Sequence, residues 1–135
     1  MTTSSTWTFE SDLPLRGVGI DVEEVGRFLR LDAAGGLPLR HVFSPAETAH
    51  AQGQRVPARA LCAAFCCKEA LLKALGEPYE YRDCEMLFDE AAKEQDLCLA
   101  SELRAEQGVG AARALVRFTD SGECVAVVHA FVERR

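Results

Sequence analysis

From Leu13 to Val22 the chain reads LPLRGVGIDV, a run of glycine, β-branched and apolar residues without helical period that predicts a strand ending at Asp21. The next stretch, EEVGRFLRLDAA, sets Val25, Phe28, Leu29 and, at the margin, Asp32 at helical spacing, and GGLPL ends that helix. SPAETAHAQ carries the marks of a helix start: Ser44 as N-cap, Pro45 in the first turn and Glu47 three residues after the cap, a capping box. VPARALCAAFCCKEALLKALG follows, with Pro57 near its start and Gly76 just past its end, and predicts the longest helix of the chain at about 18 residues. CEMLFD and DLCLAS read as short strands, ELRAEQG as one or two helical turns, and RALVRFT with ECVAVVHAFVE as a hairpin joined at DSG. Strand, helices and then mostly strands is the order of an α+β domain, with a long central helix packed on an antiparallel sheet.

Residues 1–12, rich in Ser and Thr with one Trp, read as an N-terminal tail or strap, and 13–135 as a single domain. Fifteen basic against twenty-one acidic residues give a net charge of −6. That balance argues against a broad nucleic-acid surface and leaves room for a local basic patch. No run approaches the roughly 18 apolar residues of a membrane span, and MTTSSTWTFE has neither the charged nor the apolar part of a secretion signal. A cytoplasmic location is expected. Six cysteines raise the question of disulfides, but Cys62, Cys66 and Cys67 lie in one helical run without a second cysteine pair at zinc-binding spacing, so reduced thiols are expected.

The central helix carries an oddity. Turning each residue by about 100° puts Leu61, Phe65, Leu72 and Leu75 in one stripe with Ala64 at its edge, and Lys68 falls inside that stripe. Such a lysine must either extend out along its stem or meet an anion. Cys62, Cys66, Glu69 and Lys73 cluster on an adjacent face, with Glu69 and Lys73 at i, i+4 spacing. Taken singly these features have plain readings: Glu69 and Lys73 as a surface ion pair, and Asp21 as the cap of the next helix with Glu24 completing the box. Taken together, a carboxylate at a strand end (Asp21) and a second on a long helix (Glu69), flanked by Lys68 and Lys73, supply what a hard divalent cation and a phosphate substrate require.

GVGIDVEEVGRF, FSPAE and FCCKEALLKAL, in that order, resemble the 4′-phosphopantetheinyl transferase superfamily, in particular its small single-copy branch, the holo-acyl-carrier-protein synthases. The resemblance extends through most of 17–76, and VRFTDSGECVAVVHAFVE is similar in outline to the family's last two strands. It implies an enzyme that transfers the phosphopantetheine arm of coenzyme A to a serine of an apo acyl or peptidyl carrier protein. Asp21 and Glu69 match the family's metal positions, for Mg²⁺ or Mn²⁺, and Glu69 is also the expected acceptor of the serine proton. Lys73 matches the lysine that meets the phosphates, with Lys68 beside it. Arg27, extended by Arg30 and Arg40, matches a basic position that meets the acidic helix of the carrier. A homotrimer is implied by analogy, and the apolar alternation of CVAVVHAF suits a strand covered on both sides.

Two departures from the pattern stand out. The family's glycine-rich turn after the central helix is here LGEPYEYRD, with Glu77 and Glu80, and its Ser-His pair is replaced by TDSGE, with Asp120 and Ser121. They leave open a second reading, a catalytically inactive relative that serves as a carrier-protein or synthase interaction module.

Overall fold

The computed structural model describes residues 14–33 and 39–133. The expected tail over 1–12 therefore lies outside the described residues. β1 (Leu15–Glu24) runs into a 3-10 turn (Val25–Phe28) and the short helix α1 (Leu29–Ala33). α2 (Pro45–Gln52) and α3 (Pro57–Leu75) follow, then a second 3-10 turn (Tyr81–Asp83), β2 (Cys84–Glu85) and β3 (Gln95–Leu99). α4 (Ser101–Gln107), β4 (Val109–Phe118) and β5 (Glu123–Val132) complete the described chain. The strands form one antiparallel sheet in the order β1-β5-β4-β3-β2, with α3 across one face. This is the α+β architecture that the order of elements predicts.

Glycine and small side chains set how closely helix and sheet approach. A Cβ at Gly17 would overlap the Ala74 carbonyl oxygen and one at Gly19 that of Ala70, so β1 lies directly against the backbone of α3. Cys66 sits at the same contact, its thiol 3.2 Å from the Asp21 carbonyl and 3.5 Å from that of Cys124. The six cysteines are all unbridged. The predicted stripe is thus only half right: Leu61 and Leu75 are buried, whereas Phe65 and Leu72 are half-buried and the closest contact runs along Cys66, Ala70 and Ala74. A helix buried on most of its circumference has no single apolar stripe to read, and its smallest residues mark the tightest contact.

The end of β1 also differs from expectation. The strand runs three residues past Asp21, because its pairing with β5 continues through Asp21↔Ala126, Glu23↔Cys124 and Glu24↔Glu123. Asp21 is therefore mid-strand and caps no helix; the cap position before the 3-10 turn is Glu24, which makes no side-chain capping bond. The predicted box on α2 is present, with Ser44 Oγ accepting from Glu47 N at 3.2 Å and Ser44 N donating to Glu47 Oε1 at 2.9 Å. Gly76, at φ 76°, ends α3 in the left-handed conformation that glycine reaches without steric cost.

Candidate active site

Alternation along β1 turns Gly17, Gly19, Asp21 and Glu23 towards α3 and leaves Val18, Ile20 and Val22 on the opposite, exposed face. With glycine at two of the four inward positions, the strand comes close enough for Asp21 to meet side chains of α3. Asp21 is buried, and its Oδ1 lies 2.9 Å from Lys73 Nζ. Lys73 thus pairs across elements with Asp21, where sequence spacing offers Glu69. Its ammonium is held above the ordinary lysine range by the hydrogen bond to Asp21, against the opposing effect of burial, with the charges of Asp21 and Glu69 adding to the rise. Asp21 Oδ2 is buried and, among the described residues, has no hydrogen-bond partner.

Two further residues belong to this cluster. Burial, followed by the neighbouring Asp21 carboxylate, pushes Glu23 up to about 7, and Glu69 adds to the rise while Arg27 opposes it. Arg27 Nη1 is 2.6 Å from Glu23 Oε1. The Tyr81 hydroxyl is raised well above the usual phenol range by burial, by the Glu69 charge and by its hydrogen bond to Glu69. Its ring belongs to an aromatic run, 5.0 Å from Tyr79 and 6.4 Å from Phe65, which is itself 5.7 Å from Phe28 between ring centroids. Sequence reasoning missed both residues. Glu23 was legible in principle, since two residues on from Asp21 in a strand means the same face, but only if β1 is carried past Asp21. No local signal announces Tyr81.

The structure corrects the placement of Lys68 beside the phosphates. Its side chain is fully buried, and its Nζ is 3.0 Å from Glu47 Oε1, donates to the Tyr81 carbonyl at 2.7 Å and bonds the Cys84 carbonyl. Glu47 is buried as well, and its Oε2 accepts from Met86 N at 2.8 Å. Lys68 therefore meets an anion, as one of its two sequence readings requires, but that anion is the capping-box glutamate of α2. An ammonium so enclosed is not presented to a coenzyme.

Arg27 and Arg30 are exposed, as is Arg40. The β4-β5 turn approaches the 3-10 turn that carries Arg27, with Val25 N donating to Gly122 O at 3.0 Å. Glu77 and Glu80, acids of concern for a phosphate ligand, are both exposed. Among the described residues no three His, Cys, Asp or Glu side chains form a metal cage of their own. Mg²⁺, however, commonly takes one or two carboxylates and completes its shell with water and phosphate oxygens. A buried carboxylate oxygen without a donor among the described residues, beside a Glu23 that burial and then the Asp21 carboxylate hold up, fits such an ion.

The family model described as the 4′-phosphopantetheinyl transferase superfamily matches residues 17–119. Among curated proteins, the holo-[acyl-carrier-protein] synthase of Clavibacter michiganensis is 44% identical over 79 residues, which cover 56% of this chain and 60% of that protein. The match to the synthase of Clavibacter sepedonicus likewise spans 60% of that protein, so both alignments fall short of two thirds of the relatives' length. The synthase of Anaeromyxobacter dehalogenans strain 2CP-C is 35% identical over 120 residues, 83% of this chain and 92% of that protein. Among solved structures, the holo-[acyl-carrier-protein] synthase of Neisseria meningitidis superposes with a TM-score of 0.70 at 22% identity, covering 86% of this chain and 98% of that one. The Helicobacter pylori synthase in complex with coenzyme A gives 0.68 at 20% identity, covering 84% and 98%. At such identities the structural likeness establishes the fold.

Proposed function

The chain belongs to the 4′-phosphopantetheinyl transferase superfamily, and on that premise we propose that it transfers the 4′-phosphopantetheine group of coenzyme A to a serine hydroxyl of an apo acyl or peptidyl carrier protein. The serine oxygen forms a bond to the phosphorus that bears the pantetheine arm. The bond from that phosphorus to the bridging oxygen breaks, and adenosine 3′,5′-bisphosphate leaves. The observation that carries this reading is the convergence of Asp21 from β1 with Glu69 and Lys73 from α3, around a carboxylate oxygen that no donor among the described residues satisfies.

Asp21 and Glu69 are the residues that would hold a divalent cation, Mg²⁺ or Mn²⁺, which when bound supplies charge neutralisation at the diphosphate. Lys73, half-exposed and kept charged by Asp21, reaches outward to the remaining phosphate charge. Glu69 takes the serine proton, with the Tyr81 hydroxyl fixing its carboxylate. Arg27 and Arg30 offer positive charge to an acidic carrier, which a protein of net −6 can do locally. Outside this site, Val18, Ile20 and Val22 of β1 are 44%, 54% and 50% exposed, and they pair with His129, Val127 and Val125 of β5. An apolar sheet face of that kind supports packing against copies of the chain in a homotrimer. Six reduced thiols, with no described helix long and apolar enough to cross a membrane, agree with a cytoplasmic enzyme.

The test is incubation with coenzyme A, Mg²⁺ and a panel of apo carrier proteins. A transferase adds about 340 Da, the phosphopantetheinyl increment, to the intact mass of at least one carrier. No gain on any carrier that the protein binds contradicts the reading.

A further inference from the structure

The positive charge that the site can offer a donor is small. Lys68 is sealed against Glu47, which leaves Lys73 to bring an ammonium from α3 to the cluster. One ammonium against the carboxylates of Asp21 and Glu69 is a deficit of one charge. A divalent ion turns that into a surplus of one, still short of the two negative charges of a diphosphate. Beyond Lys73 the surroundings turn negative. Lys73 lies in the last turn of α3, at the carbonyl end of the helix, which carries partial negative charge. From Gly76 to Asp83 the chain reads GEPYEYRD, three acids against Arg82, and Glu77 and Glu80 are both exposed. Glu77 follows Lys73 by four residues, about one helical turn, and Glu80 precedes Tyr81, whose hydroxyl bonds Glu69. The opposite end is no better supplied: Glu24 is exposed at the end of β1, Asp120 is exposed on the β4-β5 turn, and Arg27 is held by Glu23.

We propose that Glu77 and Glu80 set the donor specificity of this site: they disfavour the 3′-phosphate of coenzyme A, so that a donor without it, 3′-dephospho-coenzyme A, is taken at least as well. The proposal rests on the transferase reading above and names the donor class within it. The same bond to the serine oxygen forms and the same bridging bond breaks, and adenosine 5′-phosphate is the group that leaves. The 3′-phosphate takes no part in that exchange. It adds about two negative charges at neutral pH, and it stands one ribose from the diphosphate, on the order of one helical turn, ~5 Å. That places it within reach of the charges that flank Lys73. Both acids are exposed to water, so their combined effect is a preference of about fivefold and not an exclusion.

The test is calorimetric titration of coenzyme A and of 3′-dephospho-coenzyme A, each with Mg²⁺, into the unaltered chain, Glu77→Gln, Glu80→Gln and the double variant. Modification of apo carrier proteins by each donor is followed in parallel by intact mass. Both donors carry the diphosphate, so its contribution cancels in the ratio of the two Kd values. The unaltered chain is expected to bind 3′-dephospho-coenzyme A at least as tightly as coenzyme A. The double variant is expected to shift the ratio about fivefold towards coenzyme A, with each single variant giving part of the shift and high salt erasing it. An unaltered chain that prefers coenzyme A overturns the proposal, and so does a ratio that the double variant leaves unchanged. A carrier modified by either donor upholds the transferase reading whichever way the ratio falls. A chain that binds neither donor and modifies no carrier removes that reading and this one with it.

Discussion

Lys68 and Lys73 stand five residues apart on one helix, and the fold treats them oppositely. Lys68 is sealed in, with Glu47 and two backbone carbonyls around its ammonium and the second oxygen of Glu47 spoken for by Met86. Lys73 is half-exposed and pairs with a carboxylate whose other oxygen no described residue satisfies, among acids that repel one another. A completed polar network ties elements together, here α2, α3 and the segment leading into β2, and has nothing left to offer a ligand. An incomplete one keeps bonding capacity for something that arrives later. The same residue type on the same helix is thus a strut in one place and, on the proposed function, a reagent in the other.

The contrast can be broken most forcefully at Lys68. Lys68→Ala leaves Glu47 charged and buried, and is expected to lower unfolding stability by about 3–5 kcal/mol in denaturant titrations. Lys73→Ala is expected to cost about 1 kcal/mol or less, because that side chain is half in water. Equal losses would erase the distinction. The second test inverts the readout: Asp21→Ala and Glu69→Gln are expected to reduce carrier modification by roughly 10²–10³ in kcat, the scale of a lost electrostatic contact in the transition state, while their unfolding midpoints move little. A smaller effect lies at the junction that holds Lys68's partner. Ser44→Ala removes the cap of α2 and the 2.6 Å bond to Glu85, and should cost about 1 kcal/mol in thermal melts with little change in activity.

The parts of the fold written in local chemistry were legible in the sequence: the capping box at Ser44 and Glu47, the glycine stop at Gly76, the hairpin turn before Glu123. Asp21, Glu69 and Lys73 stood out in the sequence because their types and spacing match a family pattern, and the fold brings the three near one another; their roles are those of the proposed function. The errors have one source, contacts between distant segments. Where β1 ends depends on β5, a hundred residues later, and misplacing that end hid Glu23. The partner of Lys68 is twenty-one residues upstream, in a motif already read as a cap, and nothing in either segment says that the two meet. The stripe of α3 was misjudged because large apolar residues draw attention, whereas Ala70 and Ala74, which have almost no side chain, let β1 lie against the helix.

The most direct measurement is calorimetric titration of coenzyme A into the unaltered chain and into Asp21→Ala, each with and without Mg²⁺. The unaltered chain should bind coenzyme A more tightly when Mg²⁺ is present, and Asp21→Ala should lose that enhancement while unfolding as cooperatively as the parent. Coenzyme A binding that is indifferent to Mg²⁺, or an enhancement that survives without the Asp21 carboxylate, would contradict the assignment of this cluster as the place where metal and diphosphate meet.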